Sequence, residues 1–265
     1  MERRRFLSGA AAAVAGGALV LPRAARAQVI RLTFQAAWAR EDLFYELAAD
    51  YARTVREMSG GLLELDLVPA GEIAGALELH DAIASGAVDA GHLVTAYGVT
   101  RNKAYSLFGT PPSFGWDANT FLGWVKYGGG QELYEELLRD VVKLDLIGFL
   151  TGPLPSQPLG WFNQEIRSPA DLRGLRYRTA GLAAELMAEL GAEVILTGSA
   201  EIVPAFRRGL LDAAEFNNPS SDRALGFPEV ARIYMLRSYH QMCECLEILF
   251  NRARFQSLPE DRSAA

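Results

Sequence analysis

The sequence predicts an α/β protein built from two related lobes, and three observations carry that reading. Short apolar runs with strand chemistry alternate with amphipathic helical stretches. Residues 78–90, ELHDAIASGAVDA, align without gaps on residues 201–213, EIVPAFRRGLLDA, sharing Glu, Ala, Gly and Asp-Ala at equal offsets. Each copy reads as a helix, a glycine turn and the start of a strand. Short βα units also converge on these residues, so kinship and convergence both stay open here. Between the copies, Thr151-Gly152-Pro153-Leu154-Pro155-Ser156-Gln157-Pro158 is stiff and extended, as a crossing between lobes should be.

Taken in order, residues 1–27 hold a charged start, an apolar run rich in glycine and alanine, and an Ala25-Arg26-Ala27 site before Gln28, the pattern of a secretory signal. Arg3-Arg4-Arg5-Phe6-Leu7 is similar to the twin-arginine export motif, which implies export of a folded protein. Strands are expected at 29–37, 62–68, 88–94 and 144–150, with helices at 41–58, 76–85 and 118–139. The lobes are expected at 28–151 and 152–237, with 238–265 returning to the first.

The stretch 168–181, SPADLRGLRYRTAG, concentrates the most information. Ser168 before Pro169 starts a short helix that Gly174 ends. Leu175 to Arg178 then alternates as a strand, with Leu175 and Tyr177 on one face and Arg176 and Arg178 on the other. Gly181 opens the next helix, over 182–190. Arg178 therefore lies at the carboxyl end of a strand entering a helix, the edge where open α/β sheets bind ligands. A surface ion pair would use an arginine there equally well.

Setting aside residues 1–27, with five arginines and one glutamate, leaves 21 basic against 31 acidic side chains, a charge of −10. That balance excludes nucleic acid and anionic membrane as partners read from bulk charge. Cys243 and Cys245 are too few for a disulfide framework and read as buried thiols on one strand face. No nucleophile is spaced with a base, and His80, His92 and His240 are scattered. Tyr127-Gly128-Gly129-Gly130-Gln131 lacks the lysine and the preceding strand of a phosphate loop. What remains is a set of polar groups at strand ends and in the link: Gln157, Arg178, Glu215 and Asn217-Asn218.

Those residues sit within PAGEIAGALELHDAIASGAVDAGHL, YGGGQELYEELL, GWFNQEIRSPADLRGLRYRTAG and EIVPAFRRGLLDAAEF, in this order. The set resembles the DctP-type substrate-binding subunits of TRAP (tripartite ATP-independent periplasmic) transporters over essentially the whole exported chain. It is most similar to members that bind 2-oxo or 2-hydroxy monocarboxylates with a metal ion. The resemblance implies a two-lobed periplasmic binding protein with mixed sheets that closes on its ligand by a hinge, and not an enzyme. Its ligand is a small organic carboxylate such as pyruvate or lactate, handed to TRAP membrane subunits. Arg178 would clamp the carboxylate, with Gln157, Asn217, Tyr97, Trp38 and Phe114 around the ligand. The side chains of Gln157 and Glu215 and the carbonyl of Phe216 would hold the ion. An all-oxygen set favours Na⁺ or Ca²⁺.

A C4-dicarboxylate or sugar acid is the alternative ligand, and a periplasmic enzyme acting on an organic acid is the alternative of another class. Members of the family continue past the point where this chain stops. The resemblance therefore implies a truncated C-terminal part, an incomplete return to the first lobe, and a homodimer only where the C-terminal helix is present.

Overall fold

A computed structural model of the protein describes residues 28–109 and 115–260. The export signal expected over 1–27 lies outside the described residues, as does Phe114. The first half runs β1 (Ile30–Ala36), α1 (Leu43–Met58), β2 (Leu63–Val68), α2 (Leu79–Ala84), β3 (Ala90–Val94), α3 (Tyr105–Phe108), α4 (Ala118–Tyr127), α5 (Gly130–Glu136) and β4 (Leu146–Leu154). There follow β5 (Gly160–Phe162), β6 (Arg176–Arg178), α6 (Leu182–Glu189), β7 (Glu193–Ile195), α7 (Ser199–Arg207) and β8 (Ala213–Ala214). The chain then forms α8 (Pro219–Ala224), α9 (Phe227–Val230), β9 (Ile233–Met235), β10 (Glu244–Asn251) and α10 (Arg252–Gln256).

Two five-stranded mixed sheets result, in the orders β2-β1-β3-β10-β4 and β7-β6-β8-β5-β9. In each, the strands of the leading βαβ units are parallel and the later strands antiparallel. The link residues Gly152 and Pro153 are still strand, because β4 continues to Leu154. The chain passes between sheets twice, at 155–159 and at 236–243. The two crossings touch where the Gln157 backbone N–H donates to the Gln241 carbonyl at 3.0 Å.

The repeat is visible in the backbone. Asp89 and Asp212, 123 residues apart, each bond a neighbouring strand twice over. Asp89 N–H donates to the Thr33 carbonyl at 3.1 Å while its Oδ2 accepts from Thr33 N–H at 2.8 Å. Asp212 does the same with Arg176, at 2.9 and 3.1 Å. Gly86 and Gly209, each following its helix, both adopt positive φ, +78° and +68°. The aligned residues thus perform one set of local tasks in both lobes.

The helix expected over 118–139 is corrected: it breaks into α4 and α5 at Gly128-Gly129, with Gly129 at φ +87°. A Cβ at Gly130 would meet Trp124 and the Val125 backbone at 2.8 Å, so glycine lets the two helices approach. Gln131 then uses its amide on the sheet, donating to the Gly148 carbonyl at 2.6 Å and accepting from Leu150 N–H at 3.2 Å. The glycine run is a helix junction.

The larger hydrophobic core runs from the first sheet across the seam into the second lobe, taking in Ile202, Phe206, Phe216 and Phe227. Trp38 and Phe44 of the first lobe lie with ring centroids 6.4 and 6.1 Å from Phe216 of the second. Burying each such ring contributes on the order of 2–3 kcal/mol, so this arrangement favours lobes packed together. A smaller core around Phe162, Leu175, Tyr177 and Met187 fills the other face of the second sheet. Cys243 and Cys245 are free, buried thiols, with Cys243 just ahead of β10.

Candidate functional site

The seam between the sheets holds a narrow cavity of about 20 Å³. Its walls include Trp38, Tyr97, Gln157, Arg178, Glu215 and Phe216, all singled out from the sequence, together with Phe44, Val94, Leu154, Ala180, Gln241 and Glu244. Asn217 is buried behind this wall and is not among the lining residues.

Arg178 is the last residue of β6 and is 2 % exposed. Its Nε donates to the Thr197 carbonyl at 2.9 Å, and Nη1 to the carbonyl and carboxylate of Glu215 at 2.8 and 3.2 Å. Nη2 has no hydrogen bond among the described residues, so its N–H groups are what the guanidinium has left for an anion. Glu215 follows the two-residue strand β8, and its N–H donates to the Arg178 carbonyl at 3.1 Å. Burial raises the Glu215 carboxyl above its ordinary range, and Arg178 partly offsets this.

Trp38 and Tyr97 come from the first lobe, Trp38 just after β1 and Tyr97 from the 3₁₀ turn over 95–100. Burial lowers His92 to about 4, leaving a neutral ring whose Nδ1 accepts from Trp38 Nε1 at 2.9 Å. That bond fixes the indole against the cavity. His240 is buried and is not among the lining residues.

Glu244 was not anticipated. It opens β10, is buried, and shares one oxygen with Gln241 Nε2 at 2.7 Å and the other with the Cys245 N–H at 3.2 Å. Burial, and then the nearby Glu215, hold its carboxyl well above the usual range. The available signal was the two acids, Glu244 and Glu247, inside the otherwise apolar run 242–250, MCECLEILF, where a carboxylate must find partners. The lining therefore holds one cation, Arg178, against two carboxyl groups.

The Gln157 amide lies beside this charge. Its nitrogen donates to the carbonyl oxygens of Phe216 and Asn217, at 3.3 and 2.7 Å. Turned over toward a bound cation, the amide would place its oxygen beside those two carbonyls. Hard-ion chemistry suits this donor set: amide and peptide oxygens with the Glu215 carboxylate nearby. Among the described residues no three His, Cys, Asp or Glu side chains cluster as a metal site. No helix among them is long and apolar enough to cross a membrane.

Residues 34–265 match the DctP family, described as bacterial extracellular solute-binding protein, family 7. A protein of Nostoc sp. named monocarboxylate 2-oxoacid-binding periplasmic protein is 30% identical over 268 residues, covering 98% of this chain and 72% of its own. A TRAP periplasmic solute-binding protein of Pseudoalteromonas atlantica, solved with bound sodium and pyruvate, superposes with TM-score 0.82 at 31% identity, over 89% of this chain and 71% of that one. Its counterpart from Colwellia psychrerythraea, solved with calcium and pyruvate, gives 0.80 and 30% over the same shares. A third, from Bordetella bronchiseptica, described as a mixed-occupancy dimer with calcium and picolinate in one active site, gives 0.84 and 28% over 89% and 70%. The paired mixed sheets, the seam cavity and the match over 34–265 agree: this chain belongs to the DctP family of bacterial extracellular solute-binding proteins.

Proposed function

We propose that the protein captures a small 2-oxo or 2-hydroxy monocarboxylate, of the size of pyruvate or lactate, with Na⁺ or Ca²⁺ in the seam cavity. The observation that carries this is the pairing of a buried arginine with the Gln157 amide, one end of which faces the Phe216 and Asn217 carbonyls. Arg178 meets the carboxylate through Nη2, each charge-assisted bond contributing about 1.5–3 kcal/mol. Micromolar capture takes about −8 kcal/mol, so apolar burial against Trp38, Tyr97 and Phe216 and the bound ion supply the remainder. When bound, the ion supplies positive charge against the ligand carboxylate. Gln157, Glu215 and the Phe216 carbonyl would hold it, while Asn217 lies behind the lining with a buried Nδ2 that has no partner among the described residues.

The charge of the lining favours a monocarboxylate. A second carboxylate of a C4-dicarboxylate would find no further cation and would face Glu215 and Glu244. Nothing in the cavity sets a nucleophile beside a base, which supports binding over turnover. The wider reading is a protein of residues 28–151 and 152–237 with a return at 238–265, exported by the twin-arginine route to the periplasm. There it delivers its acid to TRAP membrane subunits, with a homodimer only where the C-terminal helix is present.

A thermal-shift screen of organic acids with and without Na⁺ and Ca²⁺ tests the proposal, since ligand at a hundredfold excess over Kd stabilises by about 2.7 kcal/mol. Pyruvate or lactate should raise the melting temperature, and the ion should increase the shift. A larger response to succinate or gluconate would replace the ligand class, and product formation would favour an enzyme.

A further inference from the structure

We propose that Asp222 is the positioning residue of the ion site: it aims the Phe216 carbonyl at Gln157 by holding the other side of the same peptide group. The inference rests on the ion site proposed above and adds a residue that does not touch the ion.

The geometry starts from β8. It is only two residues long, so the chain leaves the sheet at Glu215 and the carbonyls of Phe216 and Asn217 are oriented by other contacts. Asp222, fully buried in α8, supplies them. Its Oδ1 accepts from the Asn217 N–H at 3.3 Å and its Oδ2 from Trp161 Nε1 at 2.9 Å. Trp161 in turn is the residue of β5 that pairs with Ala214. Asn218 closes the loop by capping α8, its Oδ1 accepting from Ser220 and Ser221 N–H at 3.0 and 3.1 Å. Residues 215–218 are thus pinned to the sheet on one side and to Asp222 on the other.

The Phe216–Asn217 peptide is planar and trans, so its C=O points opposite to its N–H. With the N–H directed at the buried Asp222 carboxyl, the Phe216 oxygen must face away from α8. On that side lies the Gln157 amide terminus, 3.3 Å off. A carboxyl on the N–H also polarises the peptide and makes its oxygen a stronger donor to a cation. Partners of this outer kind typically change metal affinity tenfold to a hundredfold when removed.

The test is a Ca²⁺ and Na⁺ titration at fixed saturating pyruvate on wild type and Asp222→Asn, with ligand-free melting temperature measured in parallel. An amide can accept through one oxygen only, so the Asn217 and Trp161 bonds can no longer both form. Ion Kd should rise at least tenfold, while pyruvate Kd at saturating ion stays within threefold. A lowered melting temperature with ion Kd within twofold of wild type would assign Asp222 a structural role and overturn the proposal. Should Asp222→Asn fail to fold, hydrogen exchange at the Asn217 amide in the wild type decides. Protection that deepens on ion addition supports the positioning bond, and an unprotected Asn217 in the ion-bound protein rejects it. If wild type shows no ion dependence at all, the ion site itself fails, which is a separate result.

Discussion

Gln35 in the first lobe and Arg178 in the second hold equivalent places, and their difference shows how one local backbone arrangement serves two kinds of side chain. Gln35 pairs with Gly91 of β3 and Arg178 with Ala214 of β8, the partners again 123 residues apart. Both side chains reach the loop before the next helix. Gln35 Nε2 donates to the Ala74 carbonyl at 2.6 Å and Arg178 Nε to the Thr197 carbonyl at 2.9 Å, and Ala74 and Thr197 share the same offset. Gln35 completes its bonding there, since Oε1 accepts from Ala74 N–H at 3.1 Å. Arg178 performs the same structural task and keeps Nη2 to spare. One position further, neutral His92 stands opposite Glu215 in the alignment. Both lobes share a loop-holding role at this position, and the second alone adds a charge there.

Converting the second lobe toward the first gives the largest expected effect. Arg178→Gln should keep the Thr197 bond yet weaken pyruvate binding at least a hundredfold by calorimetry, matching the loss of about 3 kcal/mol in charge-assisted bonds. An affinity within tenfold of wild type would remove the distinction between the lobes. Glu215→Gln comes next. It preserves size and removes the charge beside Gln157, so Ca²⁺ affinity at fixed pyruvate should fall about tenfold to a hundredfold.

Asp42 tests the seam where the lobes meet. It caps α1 through the Phe44 N–H, while the Ser199 and Ser221 hydroxyls of the second lobe lie beside it without a well-formed hydrogen bond. Burial raises its carboxyl from 3.8 to about 6. A folded-state value above the unfolded one means stability is fully present below about pH 4 and is lost as pH rises through 6. Asp222, which faces Asp42 from α8, and Tyr97 also act on this seam. Asp42→Asn keeps a good cap, so thermal melts should show the variant about 1–2 kcal/mol more stable at pH 7.5 and equal to wild type near pH 4. The smallest effect on binding belongs to Gln35→Ala. Loss of its two bonds should lower stability by about 1–2 kcal/mol in denaturant melts and leave pyruvate affinity within twofold.

Elements with strong periodicity or sharp punctuation were legible in sequence. The expected strand at 29–37 is β1, the helix at 41–58 begins two residues late as α1, and Arg178 ends its strand as expected. Misses occurred where local signals were short or competing. β5, β7 and β9 are three residues each, too brief for an alternation to show. The expected 118–139 helix failed because its apolar pattern continues through glycines whose role is to let α4 and α5 touch. Glu244 and Gln241 were missed because their proximity to Gln157 depends on the second crossing lying against the first.

The sequence by itself determined the two-lobed α/β plan, through periodicity, the internal match at 78–90 and 201–213, and the proline-rich crossing, because each is a local property of the chain. It also placed Arg178 and Glu215 at strand ends. Tertiary structure alone decided that these two bond each other, that Arg178 Nε is taken by the Thr197 carbonyl, and that Gln157 meets the carbonyls of Phe216 and Asn217. Hydrogen-bond partners in a cleft are set by how two sheets and two crossings pack. Charges and carbonyls far apart in the chain acquire their meaning only there.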